Sequence, residues 1–201
     1  MGFGIQILVQ QICEDWRIHK EDWTLPGFRA LAVYRYGNWA IGRPKGTLQS
    51  ILCSIHLVMY RYVRNHYGIE LPATTKVGRR FLLGHQSGIV IHPHAEIGDD
   101  CMIRQNVTIG SATPDRVFQE APKLGNRVQV GAGAVIVGKV TIGDGARIGP
   151  MAVVLTNVPA GASVFVAPPR IIHLAKRPVM KEGLSQKESQ PEHETSHPEA
   201  R

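Results

Sequence analysis

Residues 124–149 read LGNRVQVGAGAVIVGKVTIGDGARIG, and within this stretch an aliphatic residue recurs at every sixth position. Glycine directly follows most of these aliphatic residues, which are Leu124, Val130, Ile136, Ile142 and Ile148. The same frame extends over about residues 69–172, through Val77, Leu83, Ile89, Ile97, Ile103, Ile109 and Val154. A slip of two positions falls between Ile89 and Ile91. A period this regular is an internal repeat, and it outweighs local propensity.

A six-residue period has a simple structural meaning. One aliphatic side chain per repeat points inward from a short strand, and glycine turns the corner because it tolerates positive φ. Three repeats close one triangular coil, and stacked coils form a continuous internal ladder of aliphatic side chains. An α-helix would not match this period, and each glycine in it would cost about 1 kcal/mol. The sequence therefore predicts a mainly β chain, with a parallel β-helix of roughly four to five coils over residues 69–177.

The regions on either side of the repeats differ in character. Residues 1–68 carry helical patterning: Pro26-Gly27 begins one periodic run, and Leu48, Leu52, Ile55 and Met59 mark a second helix. Residues 178–201 have mixed charge and no aliphatic period, so we expect a disordered tail. Within the repeats, residues 111–123 are too long for one repeat and predict a loop that leaves the prism.

Charge and cysteine content limit which partners and which cellular compartment we expect. The net charge is +7, but no dense Lys/Arg stripe with interleaved aromatic residues appears, so nucleic acid is not the expected partner. A basic surface also suits a CoA nucleotide or an anionic membrane face. The three cysteines are far apart and form no CxxC pair, which indicates a reducing compartment. No signal-like start is present, and Leu48–Val63 is too polar to span a bilayer, so we expect a cytoplasmic protein with possible membrane proximity.

The run VGRRFLLGHQSGIVIHPHAEIGDDCMIRQNVTIG and the repeats that follow it resemble serine acetyltransferase and its hexapeptide-repeat relatives. The segment GFRALAVYRYGNW is similar to the helical domain of that family, and the GRR and IGDD stretches are similar to colanic-acid-type exopolysaccharide acetyltransferases. The resemblance implies a left-handed β-helix that assembles as a homotrimer or a dimer of trimers. It also implies that acetyl-CoA lies between neighbouring prisms.

Acetyl transfer from a thioester to a hydroxyl needs a base, because a hydroxyl is a weak nucleophile at neutral pH. Histidine suits that role, since its unperturbed pKa is near 6.5. The resemblance places the catalytic histidine at His85 and its orienting carboxylate at Glu70, one coil earlier. The alternatives are a solvated corner histidine and a solvated glutamate at the entry of a strand.

The resemblance also assigns candidates for acetyl-CoA binding, which are Gly110, Ser111, Ala132, Arg170 and Lys176. The last two are basic residues that can meet phosphates, although Lys176 is equally well explained as solvated surface. His92 and His94 share one strand face, but no further ligands follow, so we expect corner histidines and no metal.

The acceptor-binding positions depart from the family pattern. Where serine acetyltransferases carry Arg-His-Pro-Lys, this chain has Glu120, Ala121, Pro122 and Lys123. An anion in place of a cation repels an amino-acid carboxylate, and Asp15 is only a loose match for the residues that bind the serine amine. We therefore expect a sugar hydroxyl of exopolysaccharide synthesis as the acceptor. Serine O-acetylation and a non-catalytic β-helix scaffold remain the alternatives.

Overall fold

The structure is a computed structural model, and it describes residues 2–112, 120–168 and 170–172. The chain divides into two units, residues 1–167 and 168–201. In the second unit the structure describes only residues 168 and 170–172, which are exposed. The predicted tail and Lys176 lie outside the described residues, as does most of the predicted loop.

The first unit begins with three helices and continues with short strands. The helices are α1 (Gly2–Ile18), α2 (Pro26–Ile41) and α3 (Thr47–Tyr67). The strands are β1 (Ile69–Glu70), β2 (Lys76–Val77), β3 (Leu82–Gly84), β4 (Ile89–Ile91), β5 (Glu96–Ile97), β6 (Met102–Arg104), β7 (Thr108–Gly110), β8 (Lys123–Leu124), β9 (Gln129–Val130), β10 (Val135–Val137), β11 (Thr141–Ile142), β12 (Arg147–Ile148), β13 (Val153–Val154) and β14 (Ser163–Val164).

These strands form three parallel sheets, which are the three faces of a prism. The first face has the order β1-β4-β7-β10-β13, the second β11-β8-β5-β2, and the third β14-β12-β9-β6-β3. Each face takes every third strand along the chain up to β13, so one coil contributes one strand to each face. The step from β12 to β14 is shorter by one strand, because Val158 pairs with Ile142 only as an isolated bridge. The predicted fold class is therefore confirmed: a mainly β chain built as a β-helix of the left-handed hexapeptide type, preceded by helices.

The aliphatic ladder that the period predicts forms the core of the prism. On the third face Leu83 lies in register with Ile103, Val130 and Ile148 on successive coils. All four side chains are at most 2% exposed. Burying an aliphatic side chain of this size contributes roughly 1.5–3 kcal/mol relative to leaving it in water, so the ladder is the main source of stability in the prism.

The helices pack against the first coil of the prism. A Cβ added at Gly27, at the start of α2, would overlap the carbonyl oxygen of Leu83, so only glycine allows α2 to approach this closely. The sequence analysis identified two helices, and the structure contains a third, α1. Arg79 binds Glu14 of α1, and this ion pair links α1 to the corner before β3.

Candidate active site

His85 lies in an irregular corner of the prism. Gly84 pairs with Arg104, and Val90 pairs with Thr108 on the next coil. Six positions separate Gly84 from Val90 (90 − 84), whereas four separate Arg104 from Thr108 (108 − 104). The corner that contains His85 therefore carries two residues more than the corner stacked on it.

This insertion explains the slip in the six-residue frame and corrects its position. The aliphatic frame predicts the slip between Ile89 and Ile91, but both side chains are buried inside the prism, in β4. The extra residues instead lie before β4, where His85 has a φ of 69° and Ser87 a φ of 83°. Left-handed backbone recurs at other corners of the prism, as at Asn106 and Met151, and His85 is a left-handed position that the insertion adds.

The side chain of His85 is exposed and faces a cavity of about 630 Å³. Strands β3 and β6 form one wall, and the connection from α1 to α2 forms the other. The lining residues are Ile18, His19, Lys20, Asp22, Leu25, Pro26, Gly27, Leu82, Leu83, Gly84, His85, Met102 and Arg104. The cavity thus places an imidazole beside two cations, Lys20 and Arg104, and the carboxylate of Asp22, in a space large enough for a small polar molecule.

Glu70, the predicted partner of His85, lies on the first face of the prism. Its register neighbour on the next coil is Val90, and its side chain is half-buried. Among the residues that the structure describes, no hydrogen bond joins Glu70 to His85. One coil of separation therefore brings Glu70 opposite a strand residue, and its role as the orienting carboxylate stays a prediction.

One edge of the prism connects His85 with a predicted CoA-binding residue. Along this edge, the N–H of Asn106 donates to the carbonyl of Ser87, and the N–H of Gly133 donates to the carbonyl of Gln105, both at 3.0 Å. His85 belongs to the first corner of this stack, and Ala132 to the third. The third corner carries only small side chains, at Ala132 and Gly133, whereas Gln105 and Asn106 occupy the second.

Gln105 lies between these two corners and was not identified from the sequence. Its Oε1 atom is buried and has no hydrogen-bond partner in the described part of the chain. A buried acceptor without a donor is costly, and the amide N–H groups of pantetheine are suitable donors. The sequence Arg104-Gln105-Asn106 carries no signal for this role, because it reads as any polar corner.

The other predicted binding residues are spread over the prism. Gly110 ends β7 on the first face, where it pairs with Val137, and Ser111 follows it. Lys123 lies on the second face, with its Nζ atom 3.3 Å from Glu96. Glu120 is half-buried and lies 4.0 Å from Lys139. Arg170 is exposed in the second unit.

Asp15 is buried under α2 and does not line the cavity at His85. Its Oδ2 accepts from Nε of Arg35 at 2.8 Å, and its Oδ1 accepts from the N–H of Phe81 at 3.3 Å. Burial raises the pKa of Asp15, and the Arg35 guanidinium opposes that change. Asp15 thus helps to hold α1 against α2 and the prism through Arg35 and Phe81. In this chain it is not open to an acceptor in the cavity at His85.

His19 forms the base of the cavity and is buried. Its Nε2 atom accepts the N–H of Leu83 at 3.3 Å, so Nδ1 carries the proton and donates to the carbonyl of Asp15 at 2.6 Å. Burial lowers the pKa of His19, because the charged ring would lose its water. The neutral ring therefore links α1 to β3.

We expect the free energy of unfolding to fall as the pH falls. Because the folded pKa of His19 is below the unfolded value of about 6.5, its contribution is complete above that value and is lost below it. Urea titrations at pH 8 and pH 5.5 measure this difference. The variant His19→Gln retains an acceptor for Leu83 but no titrating ring, so its pH dependence should be weaker. An unchanged dependence in that variant would remove His19 as its source, leaving His56 and His92, whose pKa values burial also lowers.

His92 and His94 lie with their ring centroids 5.7 Å apart. In the described residues, no group of three or more His, Cys, Asp or Glu side chains is placed to hold a metal ion.

Comparison with known proteins places this architecture. The family pattern described as Bacterial transferase hexapeptide (six repeats) matches residues 121–156. Serine acetyltransferase of Synechococcus elongatus is 33% identical over 148 residues, which cover 74% of this chain and 57% of that protein. The putative colanic acid biosynthesis acetyltransferase WcaB of Escherichia coli K12 is 33% identical over 153 residues, covering 75% of this chain and 92% of WcaB. The chain belongs to the serine acetyltransferase family.

The solved structures agree with this assignment. A crystal structure of serine acetyltransferase from Vibrio cholerae, 28% identical, superposes with a TM-score of 0.66 over 83% of this chain and 64% of that one. The predicted family is thus confirmed. The chain spans 57% of the Synechococcus serine acetyltransferase and 92% of WcaB, and it spans 81% of the serine acetyltransferase of Helicobacter pylori, to which it is 37% identical.

Proposed function

We propose that this member of the serine acetyltransferase family transfers the acetyl group of acetyl-CoA to a hydroxyl of a sugar in exopolysaccharide synthesis. The observation that carries the proposal is the two-residue insertion that exposes His85 to the cavity. An insertion that interrupts a regular repeat and aims a titratable side chain at a cavity is typical of a functional site.

The reaction needs one proton to move twice. When bound, acetyl-CoA supplies the thioester as the acyl donor. His85 accepts the proton of the sugar hydroxyl while the hydroxyl oxygen forms a bond to the acetyl carbon. The bond from that carbon to sulfur then breaks, and His85 returns the proton to the sulfur, so the products are an acetyl ester and a thiol. In this proposal Glu70 orients the imidazole.

The edge from His85 to Ala132 supports binding of acetyl-CoA. The unpaired Oε1 of Gln105 offers an acceptor for a pantetheine amide. Gly110, Ser111 and Arg170 are the other candidates for binding acetyl-CoA that the structure describes.

A homotrimer would bring a second prism against such an edge. Exposed apolar side chains on the last coils support an interface there, since Met151, Val153 and Leu155 are each more than 60% exposed. We propose the cytoplasm as the location, as the free cysteines suggest.

Two observations support a sugar as the acceptor. Glu120 stands where the family carries a cation, and its carboxylate would repel that of an amino acid. The chain also matches WcaB over nearly the whole of WcaB. The second candidate is serine O-acetylation, which the identity to the Synechococcus serine acetyltransferase favours.

An assay of thiol release from acetyl-CoA distinguishes the two candidates. We expect turnover with nucleotide sugars or oligosaccharide acceptors at rates well above those with L-serine. The variant Glu120→Arg, which restores a cation at that position, should raise the rate with L-serine if the carboxylate is what excludes it. Efficient turnover of L-serine by the unmodified chain would contradict the sugar proposal.

A further inference from the structure

Helix α3 exposes an apolar stripe along most of its length. We define the α3 stripe as the side chains that recur along one side at spacings of three and four residues: Leu48, Ile51, Ile55, Val58, Met59 and Tyr62. Their exposed fractions range from 38% to 68%. Val63 is the buried residue of α3, and the helix packs on α2. The stripe is therefore a second apolar side that the helix pair does not cover.

The stripe continues into a groove between α2 and α3. This groove has a volume of about 580 Å³ and shares Val58, Met59 and Tyr62 with the stripe. Trp23 lies at the groove and is 66% exposed. A contiguous exposed apolar surface of this kind marks an interaction site, and tryptophan is enriched where proteins meet the interface of a membrane.

The segment that carries this surface is rich in cations, and the carboxylates of Asp22 and Glu70 lie just outside its two ends. Between Trp23 and Ile69 the sequence contains no Asp or Glu, and it contains six cations: Arg29, Arg35, Arg43, Lys45, Arg61 and Arg64. Arg35 is neutralised by Asp15, which lies outside this segment. Lys45, Arg61 and Arg64 are exposed, at the start of α3 and near its end. The stripe is thus flanked by cations at both ends.

We infer that the α3 stripe docks on the surface of an anionic membrane. Helices that lie in a membrane interface combine an apolar side with flanking Lys and Arg, and each such cation adds attraction to anionic lipids. The helices of the described structure include none that is long and apolar enough to cross a membrane, so the contact is with the surface. A second copy of the chain fits this surface less well, because two α3 helices packed in antiparallel directions would bring Lys45 of one against Arg61 of the other.

The inference goes beyond the proposed acetyl transfer and does not depend on it. Docking would hold the cavity at His85 near the bilayer, because Trp23 and Phe28 of the groove are chain neighbours of Asp22 and Gly27 of the cavity.

Cosedimentation with vesicles tests the inference. The full chain should bind vesicles of phosphatidylcholine with phosphatidylglycerol more strongly than vesicles of phosphatidylcholine alone. The variant Val58→Glu, in the stripe, should lower binding by at least about tenfold, since it places a carboxylate on the docked side. The matched control is Leu57→Glu, because Leu57 is on the same helix, is 45% exposed and lies outside the stripe. This control should bind nearly as the unmodified chain does.

A charge variant tests the second part of the inference. Arg61→Gln should lower binding to the anionic vesicles by roughly fivefold and leave binding to neutral vesicles unchanged. Circular dichroism of each variant verifies that the helices are intact.

Three results would overturn the inference. The first is no binding of the full chain to anionic vesicles. The second is equal loss of binding in Val58→Glu and Leu57→Glu. The third is concentration-dependent self-association that Val58→Glu abolishes, without vesicle binding, which would assign the stripe to a second copy of the chain.

Discussion

Replacing His85 by asparagine is expected to lower the kcat of acetyl transfer by a factor of about 10²–10⁴, the usual contribution of a general base. Asparagine retains a polar side chain and tolerates the left-handed backbone of this corner, so the fold should persist. The loss would then report the chemistry of the imidazole. Thiol release from acetyl-CoA with the best acceptor found is the measurement.

The matched control is His94→Asn, since His94 is another exposed corner histidine but does not line the cavity. We expect its kcat to stay within about twofold of the unmodified chain, as for a surface change away from the site. Equal rates in His85→Asn and the unmodified chain would remove His85 from the reaction. If no acceptor supports thiol release at all, the non-catalytic scaffold becomes the better interpretation.

The largest effect on stability is expected from Arg35→Leu, at about 3–5 kcal/mol. Arg35 is 3% exposed and is the ion-pair partner of the buried Asp15. Its Nη1 also donates to the carbonyl of Val77 at 2.9 Å. Leucine would leave the Asp15 carboxylate buried without a cation, and the carbonyl without its donor. Urea unfolding at pH 7 measures the loss.

Two further variants identify the cause of that loss. Lys76→Met removes the cation from the exposed pair with Glu96, and it should cost less than about 1 kcal/mol. The double variant Asp15→Leu/Arg35→Leu removes both charges and should recover a large part of the stability. If the double variant is less stable than Arg35→Leu alone, then the unpaired charge is not the source of the cost.

The β-helix could be predicted from the sequence because the residues that form its core themselves recur with its six-residue period. Each inward aliphatic residue, such as Val130 or Ile148, faces the same environment in every coil. The expected role of the glycine that follows many of these residues was wrong, because Gly78, Gly98 and Gly125 do not have positive φ. A Cβ at any of them would overlap the next coil, so glycine is needed there for close stacking of the coils.

The position of the two extra residues could not be predicted in the same way. Alternate residues of a strand point to the same side, so Ile89 and Ile91 can both be inward without any break between them. The aliphatic frame thus records that two residues were added, but not whether they lie in the strand or in the corner before it. Only the pairing of Gly84 with Arg104 and of Val90 with Thr108 decides between these.

The roles of residues that act through contacts distant in the sequence could not be predicted either. Helix α1 is held by the contacts of Asp15, His19 and Glu14 with residues of α2 and the first coil, and no local pattern announces such pairs. Gln105 looks like a solvated corner residue until the neighbouring coils remove its water. The candidate base, by contrast, could be proposed from the sequence, because the resemblance to serine acetyltransferases assigns that role to His85.

The insertion at His85 divides the prism into a part that can vary and a part that cannot. Any coil beyond the Ala132 corner repeats the same pattern of inward aliphatics, so a duplication or loss of a whole coil at that end would preserve every contact at the cavity. Among the corners that the structure describes, this irregular one has no copy, so recombination among the repeats would not regenerate it. A change in the number of coils would alter the proposed trimer interface on the last coils, while the reactive corner would remain a single inherited unit.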